Sequence, residues 1–292
     1  MPKIAVIGPG AIGGLIAAWL CQDDRNEVSV CVRTPIRHIH ADTPYGSFEA
    51  HPKILAEPGQ GEPVDWVLVA TKSYDSDKAT AWFEGLCHDR TQVAILQNGV
   101  EHVERFSQYL PEERILPIVV QCPSERTEPE KVCQRRPASL IAPNTEAGEA
   151  FAELFSRTKI DILVENDFLT LAWRKLCLNA AGAVMALTLI PAKVAHNEDA
   201  AKIMQGIIKE GAAVARAEGA NLDDSVVDFV ISTYQKAPGD SVNSLHADRV
   251  TGRPMEIDLR NGVIVRLGKK HGIATPYNEM VVALLNAIEA RG

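Results

Sequence analysis

The first half of the chain alternates short apolar runs with helical periodicity. Residues 3–8 (KIAVIG), 28–32, 65–70 (DWVLVA), 93–96 (VAIL) and 115–120 are apolar and rich in β-branched residues. Between them lie helix-patterned segments, the clearest over 11–21. Runs of this length separated by helices predict a parallel sheet covered on both faces. Two stretches interrupt the alternation. Residues 45–57 are irregular, and the Pro-containing stretch 122–143 holds two short runs, 131–133 and 139–142, expected to add as antiparallel strands. From about residue 166 long helical patterns take over: 167–193, 200–218, 223–236 and 256–271, with a last helix after Pro276. Gly219, Pro238–Gly239 and Gly272 punctuate them as stops. The pattern predicts an α/β domain over residues 1–165 followed by an all-helical domain over 166–292, with no internal repeat.

Composition narrows the functional classes. The 292 residues carry 30 Lys and Arg against 38 Asp and Glu, a net charge of −8, which argues against the basic face that nucleic acid requires. Aromatic residues are only 5%, so platforms for stacked bases are poorly supplied. The longest uncharged stretch, 176–192, is broken by Asn179 and falls short of the ~20 apolar residues of a membrane span. The six cysteines are scattered, without CxxC pairs or metal-ligand spacing, and the strand-like opening run leads to the expectation of no cleavable leader. A cytoplasmic protein with free thiols, no metal and no membrane partner is expected.

The segment Gly8-Pro-Gly10-Ala11-Ile12-Gly13 follows the first strand and opens the first helix, where a dinucleotide fingerprint belongs. Gly8 permits the tight turn, Gly10 lets a pyrophosphate approach the backbone, and Gly13 lets helix and strand pack closely. The N–H groups at the helix start face the anion. A Rossmann-type dinucleotide-binding domain follows. At the end of the second strand an NAD site places a carboxylate against the ribose. Here stands Arg33, whose guanidinium suits a 2′-phosphate, so NADPH/NADP is preferred to NAD; the alternative is a solvated surface charge. Lys72 and Asn98 also follow strands and should converge with Gly10 and Arg33 on one crevice, Lys72 near cofactor phosphates and Asn98 beside the nicotinamide. A surface lysine and an Asn-Gly turn are the plainer accounts.

In the helical half, Lys175 and Asn179 are four residues apart and share a face of an apolar helix. Desolvation would lower the pKa of a lysine embedded among Trp173, Leu176 and Leu178, fitting it to give a proton to an alkoxide; a snorkelling lysine is the alternative. Cys177 reads as a packing cysteine, with a redox thiol the less favoured role. Pro254 is placed for a first helical turn capped by Thr251 or Gly252, with Glu256 a dipole-favoured carboxylate inside it. Ser244 and Asp248 fit loop or cap positions, and Asp248–Arg249 and Asp258–Arg260 fit ordinary surface charges. The apolar faces of helices such as 200–218 suit a homodimer contact or simply the core.

The ordered set GPGAIGG, QNG at 97–99, WRKLCLN at 173–179, SLHAD at 244–248 and EIDLRNG at 256–262 resembles the ketopantoate reductase family (2-dehydropantoate 2-reductase). The resemblance extends to KKHGIATP at 269–276 and so spans nearly the whole chain. It implies an enzyme, an NADPH-dependent oxidoreductase that reduces a 2-oxo acid to a 2-hydroxy acid, ketopantoate to pantoate in pantothenate biosynthesis. It also implies a helical domain similar to that of 6-phosphogluconate dehydrogenase. By matched position Lys175 resembles the family's proton donor, Glu256 its acidic partner, and Asn98 the residue between nicotinamide, lysine and substrate. Asn179 and Ser244 resemble substrate-binding positions; Arg33 and Lys72 match positions favouring the 2′-phosphate. One stretch departs. Many ketopantoate reductases carry Asn-Pro-Leu-Thr after the lysine helix's first asparagine, where this chain has Ala183-Val184-Met185-Ala186. A different, more apolar ketone or 2-oxo acid is therefore the alternative substrate, and a non-catalytic NADP(H)-sensing module the alternative of another class.

Overall fold

Alternate residues of the central strands belong to opposite cores, as the two-residue period of a strand requires. Ile4, Val6, Leu68 and Ala94 pack into one cluster, while Ala5, Ile7, Val67, Val69, Val93 and Ile95 pack into another. The computed structural model describes residues 1–290. Its largest sheet contains Lys3–Ile7, Glu27–Cys31, Lys53–Leu55, Trp66–Val69, Gln92–Ile95 and Ile115–Pro117, all parallel. Numbered along the chain, these six strands lie in the order 3-2-1-4-5-6. This is the doubly wound order whose ligand crevice lies outside the carboxyl ends of the strands, where the order reverses between the first and fourth. The glycine segment follows the first strand at that point.

Two smaller sheets complete this unit. Ile39–Thr43 pairs antiparallel with Gly46–Ala50 and parallel with Lys131–Gln134, which pairs antiparallel with Ser124–Glu128. The stretch 45–57 is thus ordered: it supplies Gly46–Ala50 here and Lys53–Leu55 to the parallel sheet. The helix Ala11–Leu20 packs on this four-stranded sheet; Trp19 stacks near Phe48 and donates to Gln134 at 3.0 Å. Ala138–Pro143 lies between Ile160–Glu165 (parallel) and Val119–Gln121 (antiparallel). The runs at 131–133 and 139–142, expected as antiparallel additions, therefore each have one parallel neighbour. The apolar run 115–120 is not one strand. It breaks after Pro117, which has no N–H to continue a ladder, and its second part joins the three-stranded sheet.

The chain divides into Met1–Gln97 with Glu101–Phe168, and Asn98–Val100 with the residues from Leu169 onward. The expected division at 165/166 placed Asn98 in the first domain, whereas it groups with the helical unit. Among the described residues that unit holds Ala183–Thr188, Glu198–Ala217, Ser225–Lys236, Ser244–Val250, Val263–His271 and Pro276–Glu289, together with most of Phe168–Ala181. The periodic stretch 167–193 is not a single helix. It breaks at Gly182, because side chains compete for its carbonyls: Tyr234 donates to Leu178 O at 2.8 Å and Asn243 to Gly182 O at 2.8 Å. A Cβ on Gly182 would sit 2.2 Å from Asn243 Nδ2, so only glycine admits these donors. No helix among the described residues is long and apolar enough to cross a membrane.

Candidate active site

The nucleotide loop has the geometry its glycines predict. Gly8 adopts φ 85°. A Cβ on Gly13 would lie 2.4 Å from Gly8 O and 2.8 Å from Ala70 Cβ, whereas Gly10 faces open space. No side chain caps the helix Ala11–Leu20. The N–H groups of Ala11, Ile12 and Gly13 therefore stand at a helix start suited to a phosphate. Arg33, with its side chain 79% exposed, pairs with Asp75 at 3.4 Å. Lys72 immediately precedes the short turn Ser73–Asp75 beyond the fourth strand. These residues fit a phosphorylated dinucleotide. Asp75 is mostly buried but keeps Lys78 at 3.1 Å as a second partner, so it does not prevent the solvent-exposed Arg33 from turning to a 2′-phosphate dianion.

A polar network occupies the helical unit. Asn179 Nδ2 donates to Asn98 Oδ1 at 3.2 Å, and Asn98 Nδ2 donates to Glu256 Oε2 at 3.1 Å. The Asn98 amide accepts from one neighbour on its oxygen and donates to the other from its nitrogen, which fixes its orientation. Glu256 is 4% exposed. It does not lie in a first helical turn. Residues 253–257 are not helical, and the helix begins with a π turn over Asp258–Gly262, in which Gly262 N bonds Ile257 O five residues back. Such turns are rare and gather at functional sites. Pro254 accordingly opens no helical turn, Thr251 and Gly252 cap none there, and the role of Glu256 is set by Asn98 rather than by a helix dipole.

Lys175 sits one turn before Asn179 on Phe168–Ala181 and is half-buried. Burial, and secondarily the positive charge of Arg260, lower its pKa from 10.5 to about 8. Cys177, two residues on, is fully buried and its thiol is pushed up to about 12 by burial, so it packs and is not a reactive thiolate. Ser244 is an exposed first-turn residue of Ser244–Val250, whose cap is Asn243, accepting from His246 N at 2.8 Å; Ser244 is therefore neither the loop nor the cap residue expected. Asp248 is buried rather than a surface charge.

The structure thus joins Asn98, Asn179 and Glu256 directly and places Ser244 and Lys175 in the same unit. The nucleotide residues Gly8 to Gly13, Arg33 and Lys72 belong to the other. Arg260 escaped the sequence reading. Read there as a surface charge, it is 1% exposed, donating to Ser244 Oγ at 2.7 Å and to Asn179 O at 3.3 Å. Asn261 was also missed. It donates to Ala180 O at 3.2 Å and to Asn278 Oδ1 at 2.9 Å, tying the π turn to the lysine helix and the last helix. The π turn buries Leu259, Arg260 and Asn261 in succession, an arrangement that 3.6-residue periodicity does not anticipate.

Comparison with known proteins agrees over nearly the full length. Residues 4–146 match the family described as ketopantoate reductase PanE/ApbA, and residues 167–289 match its C-terminal domain. A curated 2-dehydropantoate 2-reductase of Caulobacter vibrioides is 54% identical over 287 residues, covering 98% of this chain and 99% of that protein. Among solved structures, a PanE/ApbA family ketopantoate reductase from Ralstonia eutropha JMP134 has a TM-score of 0.90 at 28% identity, covering 99% of each chain. A D-mandelate dehydrogenase solved with NADH and anilino(oxo)acetate has a TM-score of 0.91 at 26% identity, covering 99% of this chain and 98% of that one. With both halves matched in order and a relative identical at more than half its positions, this chain belongs to the ketopantoate reductase PanE/ApbA family.

Proposed function

We propose that this protein reduces ketopantoate to pantoate with NADPH. The observation that carries the reading is the Asn179–Asn98–Glu256 network, closed on a buried carboxylate, in the same unit as a lysine whose pKa is drawn toward neutrality. NADPH, when bound, supplies the hydride to the ketone carbon. Gly8 and Gly10 would shape the loop and let its pyrophosphate approach, the N–H groups of Ala11, Ile12 and Gly13 would face it, and Arg33 and Lys72 would meet the 2′-phosphate. Lys175, protonated near neutral pH, donates a hydrogen bond to the ketone oxygen and gives up its proton as charge develops there. Asn98, held from both sides, orients the reacting carbonyl, and Glu256 anchors Asn98 and accepts from a substrate hydroxyl. Asn179 and Ser244 bind the remaining polar groups. The free cysteines suit a reducing, cytoplasmic setting.

The test is NADPH oxidation with ketopantoate, with NADH in parallel. Turnover that prefers NADPH is expected; NADPH binding without turnover would overturn the reading. Arg33→Ala is expected to raise the KM for NADPH about tenfold, the loss of one charge-assisted phosphate contact, and to leave that for NADH unchanged. Equal effects on both cofactors would remove Arg33 from the 2′-phosphate site.

A second reading, reduction of a 2-oxo acid with a larger apolar substituent, rests on the Ala183–Ala186 segment. Its four side chains are buried and offer no hydrogen-bonding group except the Met185 sulfur. The D-mandelate dehydrogenase neighbour, solved with an aryl-bearing oxo acid, supports this reading. A higher kcat/KM for phenylglyoxylate than for ketopantoate would favour it.

A further inference from the structure

Arg260 is among the largest fully buried side chains, yet among the described residues no ion pair forms on it and its Nε has no hydrogen-bond partner. A buried cation whose charge Glu256 and Asp248 offset only through space, without an ion pair, is a poor source of stability, since apolar residues of similar volume commonly serve the fold as well or better. Its remaining contacts indicate what it does. Nη2 donates to Ser244 Oγ at 2.7 Å, and Nη1 donates to the main-chain oxygen of Asn179 at 3.3 Å.

A guanidinium carries donors only, so Ser244 Oγ must be the acceptor in that bond. The hydroxyl hydrogen of Ser244 is then directed elsewhere. Ser244 is exposed, and the charge behind it strengthens its hydroxyl as a donor toward an anion. The same guanidinium pins the carbonyl of Asn179, whose side chain opens the network to Asn98 and Glu256. The π turn makes this possible by turning Arg260 inward together with Leu259 and Asn261.

We propose that Arg260 is a positioning residue that sets specificity for the anionic end of the substrate: it makes Ser244 an obligate donor backed by a buried positive charge, so that the site selects 2-oxo carboxylates over neutral ketones. The inference rests on the reductase reading above and deepens it. Arg260 acts through Ser244 and need not touch the substrate.

The experiment compares wild type, Arg260→Met, Arg260→Lys and Ser244→Ala. Steady-state KM and kcat for ketopantoate are measured, with inhibition constants for pantoate and for its neutral methyl ester. Arg260→Met is expected to raise the KM for ketopantoate and the inhibition constant of pantoate about 10- to 100-fold, with kcat changed much less. The ester's constant should stay within about twofold, because only the charged ligand loses a charge-backed donor. Arg260→Lys keeps the charge and should restore most of the preference for the acid. Ser244→Ala should lose that preference, and combining it with Arg260→Met should add little further loss.

Parallel weakening of acid and ester in Arg260→Met would mean a purely structural role and overturn the proposal; so would unchanged constants. If Arg260→Met does not fold, judged by circular dichroism and NADPH binding, the decision passes to the other two variants. An unaltered acid-to-ester ratio in Ser244→Ala, or a ratio in Arg260→Lys as poor as in Ser244→Ala, then overturns it. Absence of ketopantoate turnover by wild type defeats the substrate reading, and the pantoate-to-ester binding ratio still tests Arg260.

Discussion

Replacing Lys175 with Ala is expected to lower kcat for ketopantoate reduction by about 10²- to 10⁴-fold, the usual contribution of a positioned general acid. Alanine is the best helix former, so Phe168–Ala181 keeps its backbone, and removing a half-buried ammonium relieves a desolvation cost. The loss should therefore appear in the chemistry and not in folding. NADPH affinity should be nearly unchanged, since the glycine loop and Arg33 belong to the other unit. Lys175→Arg separates charge from proton donation. A guanidinium keeps the positive charge but does not release its proton near neutral pH, so this variant should remain severely impaired. If Lys175→Ala kept more than a tenth of wild-type kcat with its NADPH affinity intact, the proton would have to come from elsewhere.

Much of this arrangement was legible in the residues. The strands Lys3–Ile7, Trp66–Val69 and Gln92–Ile95 are buried on both faces, which forces continuous apolar runs, and the glycine loop declares itself by its place after the first. Lys175 and Asn179 announce a shared face by their spacing. What failed has physical causes. Ile39–Thr43 and Gly46–Ala50 hold His, Asp, Ser and Glu on solvent-facing positions, so no apolar run marks them. The break at Gly182 depends on Tyr234 and Asn243, more than fifty residues away, reaching its carbonyls. A charged letter in a helical pattern reads as surface. Only the π turn makes Arg260 an inward residue, and no local pattern encodes that turn. Asn98 was placed with the nucleotide domain because it follows a strand; its side-chain bonds to Asn179 and Glu256 are long-range partners that spacing along one strand does not reveal.

The pH dependence of the two reaction directions should run in opposite senses. Burial, and then the charge of Arg260, bring Lys175 to a pKa of about 8. Both act by disfavouring the ammonium. Reduction requires that ammonium as donor, so reductive kcat/KM, which reports the free enzyme, should be level well below pH 8 and fall about tenfold for each pH unit above it. Oxidation of pantoate requires the neutral amine as acceptor, so its kcat/KM should rise about tenfold per unit toward pH 8 and level off beyond about that point. An unperturbed lysine would place both limbs near 10.4, outside the range in which either direction could use it well. Arg260→Met removes the smaller of the two causes, and the midpoint of both limbs should move upward while burial keeps it below the ordinary lysine value. Lys175→Arg, which does not titrate here, should abolish the limbs altogether. The discriminating measurement is kcat/KM for ketopantoate and for pantoate across pH 6–10. Limbs of the same sign in both directions, or limbs that survive in Lys175→Arg, would assign the titration to another group and remove Lys175 as the proton carrier. Limbs of opposite sign that vanish together would tie the buried lysine, and the charge that tunes it, to the same proton.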